Sequence, residues 1–323
     1  MRTSPGTRLE RSVREAIVPV RTPYRLDLTA IVLRRLSTNV VDTFAGGTFR
    51  RLLGDPAAPT LLSVQQSGPD TLTVRLDGPD AAAVRPEEPD AAPGGRAFDP
   101  ATLVQRLLGT EVDLTPFYAG AATVPWLGRI AAGARGVRPP RYPSLWETIC
   151  NAIVYQQISI HAAGAILRRT IEFCAQPVEA NGVRLYPFFA PRTILDAARD
   201  DLRGAGLSVN KVDALKAVAA AIESGELDET VLKPLPTPQL VEALVTHRGI
   251  GPWTAAVVAL RGFGRLDIFP MKDSGATALL RSLSGNPNIE VEPIIEALAP
   301  QQGMLYYHLL LGRLSTTGEV TLT

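Results

Sequence analysis

The feature that most constrains this chain is a pair of helix signals joined across two glycines. Thr237-Pro238 opens an apolar run through Leu240 and Leu244, which gives way to Gly249-Ile250-Gly251 before Pro252 opens a second run. Proline at a first helical position loses nothing, because an N–H there has no intrahelical acceptor. The spacing predicts two helices meeting in a tight hairpin. Glycine accepts positive φ and lets the backbone approach a ligand, while free amides at the start of the second helix carry partial positive charge. Such a corner grips an anion, and DNA phosphate is the natural one. Gly-Ile-Gly alone is a weak motif, so the rest of the chain has to decide what the corner serves.

With 323 residues, 46% of them hydrophobic, the chain can bury the cores of two or three domains. No apolar window approaches the ~20 residues needed to span a bilayer. No early segment combines a basic region, an apolar core and a cleavage site, so a globular cytoplasmic protein is expected. Cys150 and Cys174 fall in helical patterns among apolar neighbours and read as buried thiols, and two cysteines exclude a four-cysteine iron–sulfur cluster. The net charge is +1, so binding of nucleic acid would need a local basic face. Arg135, Arg138 and Arg141, on a proline-rich stretch, are candidates for phosphate contacts, set against the ordinary reading of solvated arginines.

Between Tyr24 and Leu76 the runs Leu61-Leu62-Ser63-Val64 and Thr71 to Leu76 flank the turn Ser67-Gly68-Pro69-Asp70. They predict a small antiparallel sheet with one or two helices. Residues 78–97 are dominated by Gly, Pro, Ala, Asp and Glu and suit a linker. The expected division is a mixed α/β domain over 1–98 and an all-α region over 99–323. Ser144-Leu145-Trp146-Glu147 is a capping-box pattern opening a helix on Leu145, Ile149 and Ile153, with Gln156-Gln157 at its polar end. A second helix covers Ile160 to Cys174, and Ser208 caps a third after Gly204 and Gly206. The fold class is mainly α with an α+β N-terminal domain.

Four stretches together resemble the DNA-3-methyladenine glycosylase II family, the alkylpurine branch of the helix-hairpin-helix base-excision glycosylases. They are Trp146 to Ser159, Gly206-Leu207-Ser208-Val209-Asn210-Lys211, Gly249 to Ala255, and Asp267-Ile268-Phe269-Pro270-Met271-Lys272-Asp273, in the family's order and spacing. The resemblance implies two helical lobes flanking a DNA-binding cleft, beside a small antiparallel sheet domain. It also implies excision of alkylated purines from double-stranded DNA, with no membrane and no obligate protein partner.

On its own residues Asp273 is an ordinary N-cap for the helix through Ala276, Leu279 and Leu280. The resemblance makes it the catalytic carboxylate, and the roles are compatible because terminal amides can orient an ionised carboxylate. Asp267 is the rival acid and reads as a local acceptor near the turn. Breaking the bond from purine to C1′ develops positive charge on the sugar, which a fixed carboxylate stabilises or answers by directing water. A 3-methyladenine-like base is already cationic and leaves without a strong general acid. Bifunctional relatives carry a Schiff-base lysine where this chain has Trp253, so a monofunctional enzyme leaving an abasic site is implied. Lys272 does not match that nucleophile. Trp253 reads either as core or as the wall on which the extruded base stacks.

By resemblance Gln157 is the wedge filling the gap in the duplex, against a plain reading as a solvated helix end. Amides near Gly249, Gly251 and Thr254 are expected to hold phosphates. The carbonyls of Val245, His247 and Gly249 are expected to share a structural Na+ or K+ with DNA; no other cofactor is required. The pattern also departs from the family. Gln301-Gln302 stands where an aromatic and an arginine are common, and Val257 stands at an aromatic position. Tyr306 or Tyr307 could complete the pocket, or pack with Leu305, Leu309 and Leu310. A thinner aromatic wall keeps two alternatives open, namely an oxidised or deaminated purine as substrate and a non-catalytic helix-hairpin-helix DNA-binding protein.

Overall fold

The computed structural model describes residues 12–78, 100–180, 182–271 and 274–322. Residues 79–97 of the expected linker, the boundary at 98, Lys272 and Asp273 lie outside the described residues. The chain opens with β1 (Ser12–Pro19), α1 (Leu26–Arg34), β2 (Thr43–Ala45), β3 (Thr48–Leu53), β4 (Thr60–Gln66) and β5 (Thr71–Gly78). The strands form one antiparallel sheet in the order β1-β5-β4-β3-β2. In β5, Leu72, Val74 and Leu76 point into the core and Thr71, Thr73 and Arg75 do not, the alternation of a half-buried strand. The predicted turn forms, with the Ser67 amide donating to the Thr71 carbonyl at 3.1 Å.

The helical part begins with α2 (Pro100–Leu108), α3 (Thr115–Ala122), α4 (Pro125–Gly133), α5 (Leu145–Tyr155) and α6 (Ile160–Cys174). It is interrupted by a short hairpin, β6 (Val178–Ala180) with β7 (Val183–Leu185), which the all-α expectation did not contain. That hairpin lays Leu185 against Leu52 and Leu61 of the sheet. Then follow α7 (Pro191–Asp196), α8 (Arg199–Gly204), α9 (Val209–Glu223), α10 (Glu229–Leu232), α11 (Thr237–Val245), α12 (Pro252–Arg261), α13 (Ser274–Ser284), α14 (Glu292–Leu298) and α15 (Met304–Thr316). Among the described residues no helix is long and apolar enough to cross a membrane.

Two helical cores result. One gathers Ile149 and Ile153 of α5, Leu215 and Val218 of α9, Leu244 of α11 and Val258 of α12. The other gathers Phe117, Leu127, Leu280, Leu298, Leu305 and Leu311 from α3, α4 and α13 to α15, with Leu260 from the end of α12. Helix α1 joins this second core to the sheet. Its Leu28, Ile31 and Val32 enter the helical core, while Leu26, Ala30 and Leu33 enter the core under the sheet. Each buried side chain of that size contributes on the order of 2 kcal/mol, so burial on two faces fixes α1 firmly. Helix α2 also packs on the sheet through Leu103, Val104, Leu107 and Leu108, although the expected boundary groups it with the helical region.

Buried cations tie these layers together. Arg51 of β3 donates to Asp42 at 2.7 Å and pairs with Glu147 of α5. The capping box is therefore only half formed: Ser144 Oγ accepts from the Glu147 amide at 3.2 Å, but the Glu147 carboxylate is engaged by Arg51. Arg261 donates to the Val32 and Leu33 carbonyls at 3.2 and 3.3 Å. Two of the three candidate phosphate-contacting arginines are also internal. Arg138 is buried and donates to the Pro23 and Val112 carbonyls at 2.8 and 2.9 Å, and Arg141 donates to those of Arg106 and Phe263. Arg135 lies 5.2 Å from the Tyr118 ring centroid. Cys150 and Cys174 are free thiols, and burial raises both pKa values, that of Cys174 to about 12.

Candidate functional site

Helices α11 and α12 meet as the two-glycine pattern predicts. Gly249 takes φ +90, and a Cβ added there would stand 2.3 Å from the Ala214 Cβ, so only glycine lets the hairpin close against α9. Ile250 is buried and anchors the corner, while exposed Gly251 forms the N-cap of α12 with Pro252 at its first position. The first amides of α12 have no acceptor within the helix. Thr254 is buried, and its hydroxyl accepts from Gln156 Nε2 at 2.6 Å; the same nitrogen donates to the Gly249 carbonyl at 3.1 Å. The side chain of Thr254 thus serves the hairpin itself, leaving its amide as the group that could face DNA.

Gln156 belongs to the turn between α5 and α6. Lys211 Nζ donates to the Val154 and Gln156 carbonyls at 2.7 and 3.0 Å and closes the end of α5. Burial lowers the Lys211 pKa. Ser208 caps α9 by accepting from the Lys211 amide at 3.3 Å, so the Gly-x-Ser-x-x-Lys pattern builds two helix ends at once. The turn then passes through Gln157, a non-glycine residue at φ +58.

These pieces border a cavity of about 660 Å³. Its wall takes Tyr155 to Ile160 from the turn, Gly251 to Thr254 from the hairpin, Gly275, Ala276 and Leu279 from α13, and Tyr306, Leu309, Leu310 and Arg313 from α15. Among the expected site residues, Gln157, Gly251, Trp253, Thr254 and Tyr306 are brought together here. Asp273 lies outside the described residues. Tyr307 does not reach the cavity, since it is fully buried, its hydroxyl donates to the Pro140 carbonyl at 3.3 Å and its ring packs near Arg261. Neighbouring positions on α15 point to different sides, and only Tyr306 faces the wall. Val257 is likewise core. The Asp267 carboxylate accepts from the Thr237 hydroxyl at 2.9 Å, the local role read for it.

At the hairpin, the His247 carbonyl accepts from the Ile250 amide at 3.1 Å, and the His247 ring lies 3.8 Å from Glu226. No cluster of His, Cys, Asp and Glu among the described residues could hold a metal ion by side chains. Gln301 and Gln302 are structural, donating to the carbonyls of Asp113 and Asp267, both at 2.6 Å. Tyr306 and Arg313, farther along on α15, are the ring and the charge from this part of the chain that line the cavity.

Sequence reasoning missed Arg35. It follows α1 at φ +64, is 3% exposed, and lines the cavity. Its guanidinium lies 3.9 Å from the Tyr155 ring centroid, and Nη2 donates to Tyr306 Oη at 3.2 Å. A doublet of arginines after an apolar helix resembles any helix end, and its partners lie far along the chain, so no local pattern could reveal it.

Residues 150–301 match the family model described as the HhH-GPD superfamily of base excision DNA repair proteins. Just under half of the chain, the part that holds the hairpin, is thus similar to the HhH-GPD superfamily. The chain is 30% identical over 191 residues to the DNA-3-methyladenine glycosylase of Bacillus subtilis, a match covering 58% of the chain and 62% of that protein. Less than two thirds of that relative's length is therefore spanned. The fold is similar to that of the 3-methyladenine DNA-glycosylase from Archaeoglobus fulgidus, with TM-score 0.70, 22% identity, and 92% and 98% of the two chains covered. It is also similar to the 8-oxoguanine glycosylase/lyase of Clostridium acetobutylicum, with TM-score 0.67, 17% identity, and 93% and 96% covered. Both likenesses concern the fold.

Proposed function

We propose that the chain is a monofunctional DNA glycosylase that draws a damaged purine out of duplex DNA and hydrolyses its bond to deoxyribose, leaving an abasic site. One observation carries this reading. Gly275 and Ala276, which follow Asp273 by two and three residues, line the same 660 Å³ cavity as Trp253 and the start of α12. The described residues just after the proposed acid and the phosphate-gripping corner of the hairpin thus share one concave site. Extruding a nucleotide costs a few kcal/mol, offset by contacts in the cavity and by a residue left in the duplex gap. Trp253 and Tyr306 are the ring surfaces for the base, and Gln157 in its left-handed turn is the residue for the gap.

Amides near Gly249, Gly251 and Thr254 hold the flanking phosphate. The carbonyls of Val245, His247 and Gly249 are neutral oxygen donors with a second lone pair each, a set suited to a monovalent cation, which would offset phosphate charge. Asp273 stabilises positive charge on the sugar or directs water to C1′. No lysine is among the described cavity residues, and Lys211 is committed to the end of α5, which supports hydrolysis over Schiff-base chemistry. The name of the B. subtilis relative makes alkylated purines the first substrates to assay. Asp273→Asn is expected to slow base release by about 10²-fold or more while duplex binding persists. Release at the wild-type rate would remove the catalytic role, and binding without release by the wild type would leave a non-catalytic DNA-binding protein.

A further inference from the structure

The cavity wall holds a cation that the proposed hydrolysis does not use. The Arg35 guanidinium is packed between the Tyr155 ring and the Tyr306 hydroxyl, and both tyrosines line the cavity with it. Among the described residues no carboxylate is within ion-pair distance of it, and Arg313 on the same wall adds a second positive charge. A guanidinium carries five N–H donors, and the two tyrosines occupy only part of that set. A buried guanidinium, held by two tyrosines and with donors they do not use, therefore lines the space in which a base would sit.

We propose that Arg35 determines substrate choice, so that the site takes a neutral damaged purine with a carbonyl on its edge, deaminated or oxidised, in preference to a cationic alkylated one. This rests on the glycosylase reading above. In the hydrolysis the bond from C1′ to the purine nitrogen breaks and its electron pair goes to the base. Water forms the new C1′–O bond, and its proton passes to solvent. A base that starts neutral becomes anionic as it departs, with charge on ring nitrogen and carbonyl oxygen, until solvent protonates it. Donors aimed at those atoms bind more tightly as the charge develops, which is the condition for lowering a barrier. An alkylated purine starts cationic and departs neutral, so it gains nothing from these donors. Removal from water strengthens the stabilisation of the departing anion.

The planar fork of arginine also matches a purine carbonyl and ring nitrogen as paired acceptors. Undamaged guanine presents the same pair, but a deaminated adenine opposite thymine is mispaired and costs less to extrude.

Base release is measured in single turnover on duplexes differing at one purine: hypoxanthine, 8-oxoguanine, 7-methylguanine or 3-methyladenine. The wild type is expected to release a neutral carbonyl base faster than 7-methylguanine. Arg35→Gln is expected to lower neutral-base release relative to 7-methylguanine by roughly tenfold or more, and Arg35→Lys to fall between. Should Arg35→Gln fail to fold, Tyr306→Phe removes the hydroxyl that positions the guanidinium and is expected to move the ratio in the same direction. A wild type that prefers 7-methylguanine overturns the role of Arg35 and leaves the glycosylase standing. So does a ratio that no variant moves while all rates fall together, the result expected of a phosphate contact. No release from any duplex removes both readings.

Discussion

The two glycines of the hairpin do different work. At Gly249 the positive φ and the 2.3 Å approach to Ala214 both exclude a side chain, whereas a Cβ at Gly251 meets nothing within 4 Å. Gly249→Ala is expected to cost roughly 1–3 kcal/mol, read as a lower denaturation midpoint, and to weaken duplex binding as the corner shifts. Gly251→Ala is expected to stay within about 0.5 kcal/mol of wild type. The repeat itself was visible in the sequence. Which glycine is sterically required was not, because that depends on a residue of α9 reached only in three dimensions. The same limit hid the difference between Tyr306 and Tyr307: either ring suits a helix core by spacing, and only the packing of α15 assigns one to the cavity and one to Arg261.

At the level of elements, caps and periodicity carried far. Helix α6 runs from Ile160 to Cys174 as its apolar spacing predicts, and Ser144 and Ser208 cap α5 and α9. The strands β6 and β7 escaped because three residues each are too few to show an alternation. The turn after α5 depends on a contact from outside, the amine of Lys211. Lys211→Met keeps most of the packing volume but removes the donor, and is expected to cost about 1 kcal/mol, measured by chemical denaturation. It is also expected to slow base release more than that loss of stability explains, since Gln156 to Ile158 would lose their fixed seat beside the hairpin.

Across the whole molecule, the sheet and the helices are joined by α1 and by Arg51. Arg51→Met would leave the carboxylates of Asp42 and Glu147 buried together without a cation, an expected loss of about 3–5 kcal/mol. Burial already raises the Glu147 pKa to about 7 although Arg51 opposes the shift. Without Arg51 the native-state value rises further above the unfolded one, so the native protein holds a proton that the unfolded chain gives up. Stability is then greater in acid and is lost as the pH rises through the native pKa. The damage from Arg51→Met is expected to be smaller near pH 5 than near pH 8, which thermal unfolding at the two pH values would show. Composition and patterning made the fold class legible, but not the cavity, whose wall joins Arg35 to Tyr306 across 271 positions of sequence.

Helix α1 is held by the sheet on one side and delivers Arg35 into the cavity from the other. On the proposal above the amino-terminal region takes part in reading the lesion rather than merely supporting the helices, with Tyr155 and Tyr306 of the helical body holding the reading side chain in place. Grafting this sheet and its helix, together with Tyr155 and Tyr306, onto a homologous helical body should transplant base preference while the recipient's own acid goes on cutting.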